Sequence, residues 1–162
     1  MRIAIIADTH MPRGARRVPD ECIQALRAAD AIVHAGDFSG IEVLAWLESL
    51  GPPVQAVRGN VEDAAVRARL PETVAFEAGG CRIAVIHDAG PAKGRLQRLR
   101  LRFPDADAVI FGHSHIPLHE EAGGFQIFNP GSPTERRRSP RHSFGLGEAE
   151  GGSLTLRHVW LG

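Results

Sequence analysis

The sequence predicts a layered α/β sandwich, two mostly buried sheets with helices outside, on three observations. Short apolar, β-branched runs alternate with helical stretches up to about residue 70, as parallel βαβ units do. From Thr73 the period shifts to two around paired glycines, which marks hairpins. A further helix-and-strand pair and a closing meander follow. The 162 residues form one domain, 1–162, with no interdomain linker, repeat or low-complexity tract.

Ile3 to Ala7 is a buried strand that stops at Asp8-Thr9-His10. A loop with Pro12, Gly14 and three arginines follows. Pro19-Asp20-Glu21 then starts a helix to about Ala28, with proline suited to the first turn and acids to its positive end. Ala31–His34 is the second strand, ending in Ala35-Gly36-Asp37, and Ile41 to Leu50 is a helix stopped by Gly51-Pro52-Pro53. Val54–Val57 is a third strand delivering Arg58-Gly59-Asn60, and Glu62 to Leu70 a short helix. Thr73–Ala78 and Cys81–His87 pair around Gly79-Gly80. Ala92 to Arg102 is a basic amphipathic helix with Leu96, Leu99 and Phe103 as its apolar stripe, its arginines read as a solvated face. Ala108–Phe111 is the next buried strand and runs into Gly112-His113-Ser114-His115. Leu118–Glu121 with Phe125–Phe128, and Ser143–Glu148 with Ser153–His158, are the closing hairpins.

Composition excludes several classes. Lys plus Arg and Asp plus Glu both number 19, so no global field draws nucleic acid or an anionic membrane. With seven Phe, two Trp and no Tyr, the stacking platforms of a processive nucleic-acid surface are lacking. No apolar run approaches the ~18 residues of a membrane span, and the first residues open into a strand instead of a signal peptide. Cys22 and Cys81 read as buried reduced thiols, and a cytoplasmic protein is expected.

The placement of the eight histidines is informative, because five lie at or near the ends of apolar runs: His10, His34, His87, His113 and His115. Five strand ends present potential metal ligands: Asp8 with His10, Asp37, Asn60, His87, and His113 with His115. Each has a bland explanation. Asp37 and Asn60 could cap the helices that follow them, and His87 and His113 could be satisfied core imidazoles. Those explanations do not say why every buried strand ends in a ligand type. Seven N/O ligands without a thiolate suit two borderline-to-hard divalent ions better than one structural zinc. If one carboxylate bridges, each ion takes four protein ligands and keeps a position for water. Two such ions can generate a bridging hydroxide and stabilise both oxygens of an in-line displacement at phosphorus. Neutral Asn60 adds an oxygen ligand without adding charge.

These blocks resemble the calcineurin-like metallophosphoesterase superfamily, whose motifs run Asp-x-His, Gly-Asp, Gly-Asn, His and Gly-His-x-His. Here they stand in order as Asp8-Thr9-His10, Gly36-Asp37, Gly59-Asn60, His87 and Gly112-His113-Ser114-His115. Small size and the Asn129-Pro130-Gly131-Ser132 segment are similar to the YfcE-like phosphodiesterase branch. The resemblance implies a four-layer αββα sandwich of two mixed sheets with a dinuclear site. Asp8, His10, Asp37 and His115 would hold one ion, and bridging Asp37, Asn60, His87 and His113 the other. Manganese is the expected metal, with iron, zinc, nickel or cobalt as alternatives. Two departures stand out. Many relatives carry a leaving-group-protonating His after Gly-Asn, where this chain has Val61, with Asp63 as a substitute acid or a helix start. Asp88 follows His87 where Gly is common, either orienting His87 or making the pocket more acidic. Arg13, Arg58 and Arg136, the last within the Arg136–Arg138 run, are candidate phosphate binders.

The function expected from this pattern is hydrolysis of a phosphodiester, in a small or nucleotide-like substrate, by a metal-dependent phosphodiesterase in which Asp37, Asn60 and His113 are central. The competing function is a scaffold that keeps the fold with weak or no turnover, as in the retromer subunit of this superfamily. The late apolar strands are a candidate surface for pairing between copies of the chain.

Overall fold

A computed structural model describes all residues 1–162. Ten strands and four helices follow in the order β1 (Arg2–Ile6), α1 (Asp20–Ala28), β2 (Ala31–His34), α2 (Ile41–Glu48), β3 (Val54–Ala56), α3 (Ala64–Arg69), β4 (Thr73–Ala78) and β5 (Cys81–Ile86). Then come α4 (Arg95–Arg102), β6 (Ala108–Ile110), β7 (Leu118–Ala122), β8 (Phe125–Asn129), β9 (His142–Glu150) and β10 (Ser153–Leu161). The strands form two mixed five-stranded sheets, ordered β10-β9-β1-β2-β3 and β4-β5-β6-β8-β7. In the first, β1, β2 and β3 are parallel and β9 runs antiparallel to β1. In the second, β5, β6 and β8 are parallel, with β4 and β7 antiparallel at the edges.

Period-two alternation creates the layers. In β1, Ile3, Ile5 and Ala7 face the second sheet and meet Ile83, Val85, Ile110 and Phe128 in one buried cluster. The alternate residues Ala4 and Ile6 face outward and are covered by Cys22 and Leu26 of α1, Leu44 and Leu47 of α2, and Val66 of α3. On the far side, Ala84, Ile86, Val109 and Ile127 are covered by Leu99 of α4. Three apolar seams between four layers make the expected αββα sandwich. The two closing hairpins divide between the sheets: β7 and β8 extend the second, whereas β9 and β10 return to flank β1.

Cys22 and Cys81 are free and buried. No helix is long and apolar enough to cross a membrane. Arg98, Arg100 and Arg102 of α4 are exposed, as expected, and the arginines of this helix also make contacts within the fold. Arg95, Arg98 and Arg100 donate to the carbonyls of Gly90, Ala89 and Ala122, and Arg95 and Arg100 lie over Phe111 and Phe125. Arg102 pairs with Glu72.

Candidate metal centre

The carboxyl ends of β1, β2, β3, β5 and β6 open at one end of the sandwich and bring all seven candidate ligands together. The backbone there is forced. Asp8, His10, Asp37, His113 and His115 have φ between +47° and +72°, in the left-handed region that non-glycine residues rarely occupy. Five of the chain's seven non-glycine residues with positive φ are candidate ligands, so the strain is concentrated at this site. Two glycines permit the crowding. A Cβ on Gly36 (φ +91°) would sit 2.6 Å from His87 Nδ1, and one on Gly59 would overlap the Asp37 carboxylate.

Each ring is aimed by its other nitrogen. His87 Nδ1 donates to the Ala35 carbonyl at 2.7 Å, and His115 Nδ1 to the Glu135 carbonyl at 2.6 Å. Both therefore present Nε2 to the centre. Asp37 Oδ1 accepts from the backbone N–H groups of Asn60 (2.8 Å) and Val61 (3.2 Å). Its Oδ2 is left between His10 Nε2 at 3.5 Å and His87 Nε2 at 3.4 Å. Asn60 Oδ1 lies 2.9 Å from His87 Nε2 and 3.3 Å from His113 Nδ1. On the other side, His10 Nε2 and His115 Nε2 are 3.1 Å apart, and Asp8 Oδ1 is 3.6 Å from His115 Nε2. Asp8 Oδ2 is buried with no hydrogen-bond partner. Lone-pair atoms that point at one another with an orphaned carboxylate oxygen among them fit the donor set of a cation. Two groups have ligand atoms all within 4.8 Å of one another, Asp8 with His10 and His115, and Asp8 with Asp37 and His87.

Proton affinities divide along the same line. Burial raises Asp8 to about 8, against the opposing charge of His87. Burial lowers His10, and takes His115 down to about 4. Burial would also raise Asp37, but the hydrogen bond and charge of His87 and the Asn60 N–H outweigh it and hold Asp37 at about 2. His87 is raised: its burial is outweighed by Asp37 and the charge of Asp8.

Residues behind the ligands fix this geometry, and several were not singled out by the sequence. Glu62, 6% exposed, accepts from the N–H groups of Phe38, Ser39 and Gly59, tying the loops after β2 and β3. His34 accepts from Gly36 N at Nδ1, so its Nε2–H donates to Thr9 Oγ1; burial takes it down to about 3 and it stays neutral. Ser132 donates to the Asp8 carbonyl at 2.8 Å and accepts from Glu135 N, while Thr134 donates to the Thr9 carbonyl. This is how the Asn129–Ser132 segment reaches the site.

Asp63, not Asn60, caps α3 by accepting from Val66 N at 2.9 Å, and also accepts from Ile41 N, so Asp37 does not cap α2. Asp88 accepts from Gly90 N, and the Ala35 carbonyl, not Asp88, orients His87. Arg13 is exposed in the loop after His10. Arg58 lines a cleft of about 210 Å³ with Asn60, Glu72, His87 and Asp88. Arg136 folds back onto the carbonyls of Ser139 and Pro140.

Fold and site together define a phosphoesterase-type α/β sandwich with its ligand set at the strand ends. Residues 1–152 match the calcineurin-like phosphoesterase superfamily domain, and the chain belongs to that superfamily. A probable metallophosphoesterase of Methanothermobacter thermautotrophicus is 37% identical over 139 residues, 85% of this chain and 80% of that one. Another from Methanocaldococcus jannaschii is 34% identical over 140 residues, covering 85% and 70%. Among solved structures, wild-type Vps29 of Entamoeba histolytica complexed with Zn²⁺ superposes with a TM-score of 0.78 at 25% identity, over 99% of each chain.

Proposed function

We propose that this chain is a metal-dependent phosphodiesterase. Asp8, His10, Asp37 and His115 would hold one divalent cation, and Asp37, Asn60, His87 and His113 a second. The observation that carries this reading is the Asp37 carboxylate, with one oxygen pinned by two backbone N–H groups and the other between His10 and His87. That is the placement a bridging ligand needs. The orphaned Asp8 oxygen, the probable metallophosphoesterases among the relatives and the Zn²⁺ complex of the Entamoeba neighbour support it. Manganese is the expected metal, with iron, zinc, nickel or cobalt as substitutes in the same ligand set. Such cations supply charge neutralisation at the phosphate and acidify the attacking water.

The remaining residues shape the substrate range. Val61 has no proton to give, and Asp63 is spent on helix N–H groups. The leaving group therefore departs as a stable anion or takes its proton from solvent, which favours activated diesters. General acid catalysis is worth roughly 10²–10⁴-fold, so its loss slows alkyl esters without silencing the site.

Hydrolysis of a bis-aryl phosphate and the matching mono-aryl phosphate, with Mn²⁺ and then chelator, tests this in wild type, Asp37→Ala and His113→Ala. Mn²⁺-dependent diester cleavage lost in both variants is the expected result. Metal binding with no turnover of either ester would replace the reading with that of a scaffold, the alternative raised by Val61 and by the likeness to Vps29.

A further inference from the structure

Two arginines around the site are spoken for, while Arg13 is exposed on its loop and Arg58 lines the cleft on the Asn60 side, away from His10 and His115. Arg16 pairs with Glu135 at 3.2 Å, and Arg136 closes its own loop. Arg137 differs. Its guanidinium makes one long hydrogen bond, Nη1 to the His113 carbonyl at 3.4 Å, and no ion pair. The nearest acid in sequence, Glu135, is turned away to Arg16, with its second oxygen 3.8 Å from His10 Nε2. The backbone at Arg137 is left-handed (φ +47°), and Ser139 N closes the turn on the Arg136 carbonyl at 2.8 Å. This turn sends side chain 137, and not 136, to the mouth of the site. Its charge reaches Asp8, His10 and His115.

A guanidinium held without a counter-ion beside a centre built for two cations is electrostatically unfavourable until an anion arrives. Most of its five donors remain free, in the fork that fits phosphate oxygens. We infer that Arg137 is the side chain that clamps the phosphate group of the substrate, on the His113 side of the site. This rests on the two-cation reading above and assigns the anion contact to Arg137 where the sequence pointed to Arg136. The ligand class is a phosphate ester or inorganic phosphate.

The test is calorimetric titration of inorganic phosphate into Mn²⁺-loaded wild type, Arg137→Gln, Arg137→Lys and Arg27→Gln, the last on the exposed side of α1. Mn²⁺ is titrated separately into the metal-free proteins. Arg137→Gln should weaken phosphate binding roughly ten- to a hundredfold, the scale of a hydrogen bond to a charged group, and raise KM for an aryl diester in parallel. Its Mn²⁺ affinity should equal or exceed wild type, because a nearby cation is gone. Arg137→Lys should fall between the two, and Arg27→Gln should match wild type. If Arg137 merely pins the His113 loop, Mn²⁺ binding weakens in Arg137→Gln while phosphate affinity of the loaded protein stays unchanged, which overturns the assignment. Phosphate binding reads Arg137 even in protein that hydrolyses nothing, so failure of the reaction and failure of the clamp are seen separately. A wild type that binds no Mn²⁺ would sink both.

Discussion

The two halves of the ligand set use the same side chains in opposite electrostatic states. Around Asp8, His10 and His115, burial dominates: the carboxyl is pushed up to about 8 and His115 down to about 4, so this half avoids charge. Around Asp37 and His87, specific partners dominate: Asp37 stays ionised at about 2 and His87 is raised toward its charged form. In the first half burial works against charge, so a cation bound there would have to displace the Asp8 proton. The second is a standing carboxylate with its lone pair already aimed. The difference comes from partners set against burial. Asp37 has the hydrogen bond and charge of His87 and two backbone N–H groups on Oδ1. Asp8 is dominated by burial and receives one backbone N–H, from His113 on Oδ1, and none on Oδ2.

The contrast can be broken most severely at Asp37, whose Oδ2 lies between His10 and His87. Asp37→Ala should cost roughly 10³-fold or more in diester hydrolysis, the several kcal/mol that cation catalysis supplies, and calorimetry should show weakened Mn²⁺ binding throughout the centre. Asp8→Asn should instead leave the Asp37–His87 half able to take one ion. A stoichiometry of two per chain in that variant would contradict the division.

A smaller effect is expected behind the ligands. In Glu62→Gln an amide N–H₂ must face backbone N–H groups that the carboxylate accepted. About 1–3 kcal/mol of stability and roughly 10- to 100-fold in activity should be lost, read by thermal melts and by rate.

Next comes pH. Asp8 in the folded chain binds its proton up to about 8, whereas the unfolded chain releases it near 3.8. The raised His87 acts in the same direction above its ordinary 6.5. Between pH 6.5 and 8 the folded, metal-free protein therefore holds more protons than the unfolded one, and its stability falls as pH rises. The Asp8 part is at most about 2 kcal/mol over that window. Below pH 6.5 the lowered His115 and His34 oppose it, since each must shed a proton to fold. Denaturant midpoints from pH 6 to 8 measure this, and a midpoint rising across the window would refute it. Saturating Mn²⁺ should flatten the dependence.

The smallest effect lies outside the site. Arg98→Gln removes hydrogen bonds to the Ala89 and Pro91 carbonyls and should cost about 1 kcal/mol while leaving turnover within twofold. A marked loss of activity there would mean that α4 contacts substrate.

Much of this was legible in the residues themselves. Alternation in Ile3–Ala7 and Cys81–Ile86 encodes which faces are buried, and the apolar strands that stop at Asp or His mark the candidate ligands that the fold brings together. Other features were hidden for physical reasons. Glu62 reads as one more acid at a helix start, since nothing in the chain reveals that its partners are N–H groups of two other loops. The choice of Arg137 over Arg136 depends on a single left-handed residue in a run of three identical side chains. Asp63 and Asp88 carry the same functional group as the candidate ligands, and only the fold shows that Asp63 is spent on helix N–H groups and Asp88 on a turn.

The return of the closing hairpin has a consequence for how the chain is made. β1 leads into Asp8 and His10, and its partners are β2 and β9, with Ile5 beside Val33 on one side and Gly145 on the other. On a ribosome, the first strand synthesised waits for almost the last before its second edge is closed. Such a long loop makes closure slow and leaves an open strand edge during synthesis. Ser132 and Thr134, which hold the Asp8-Thr9-His10 turn from behind, also arrive late. The turn at the N-terminal end thus gains its final shape only when the C-terminal end emerges, so a ribosome-bound chain lacking β9 should capture Mn²⁺ poorly however complete its ligand set.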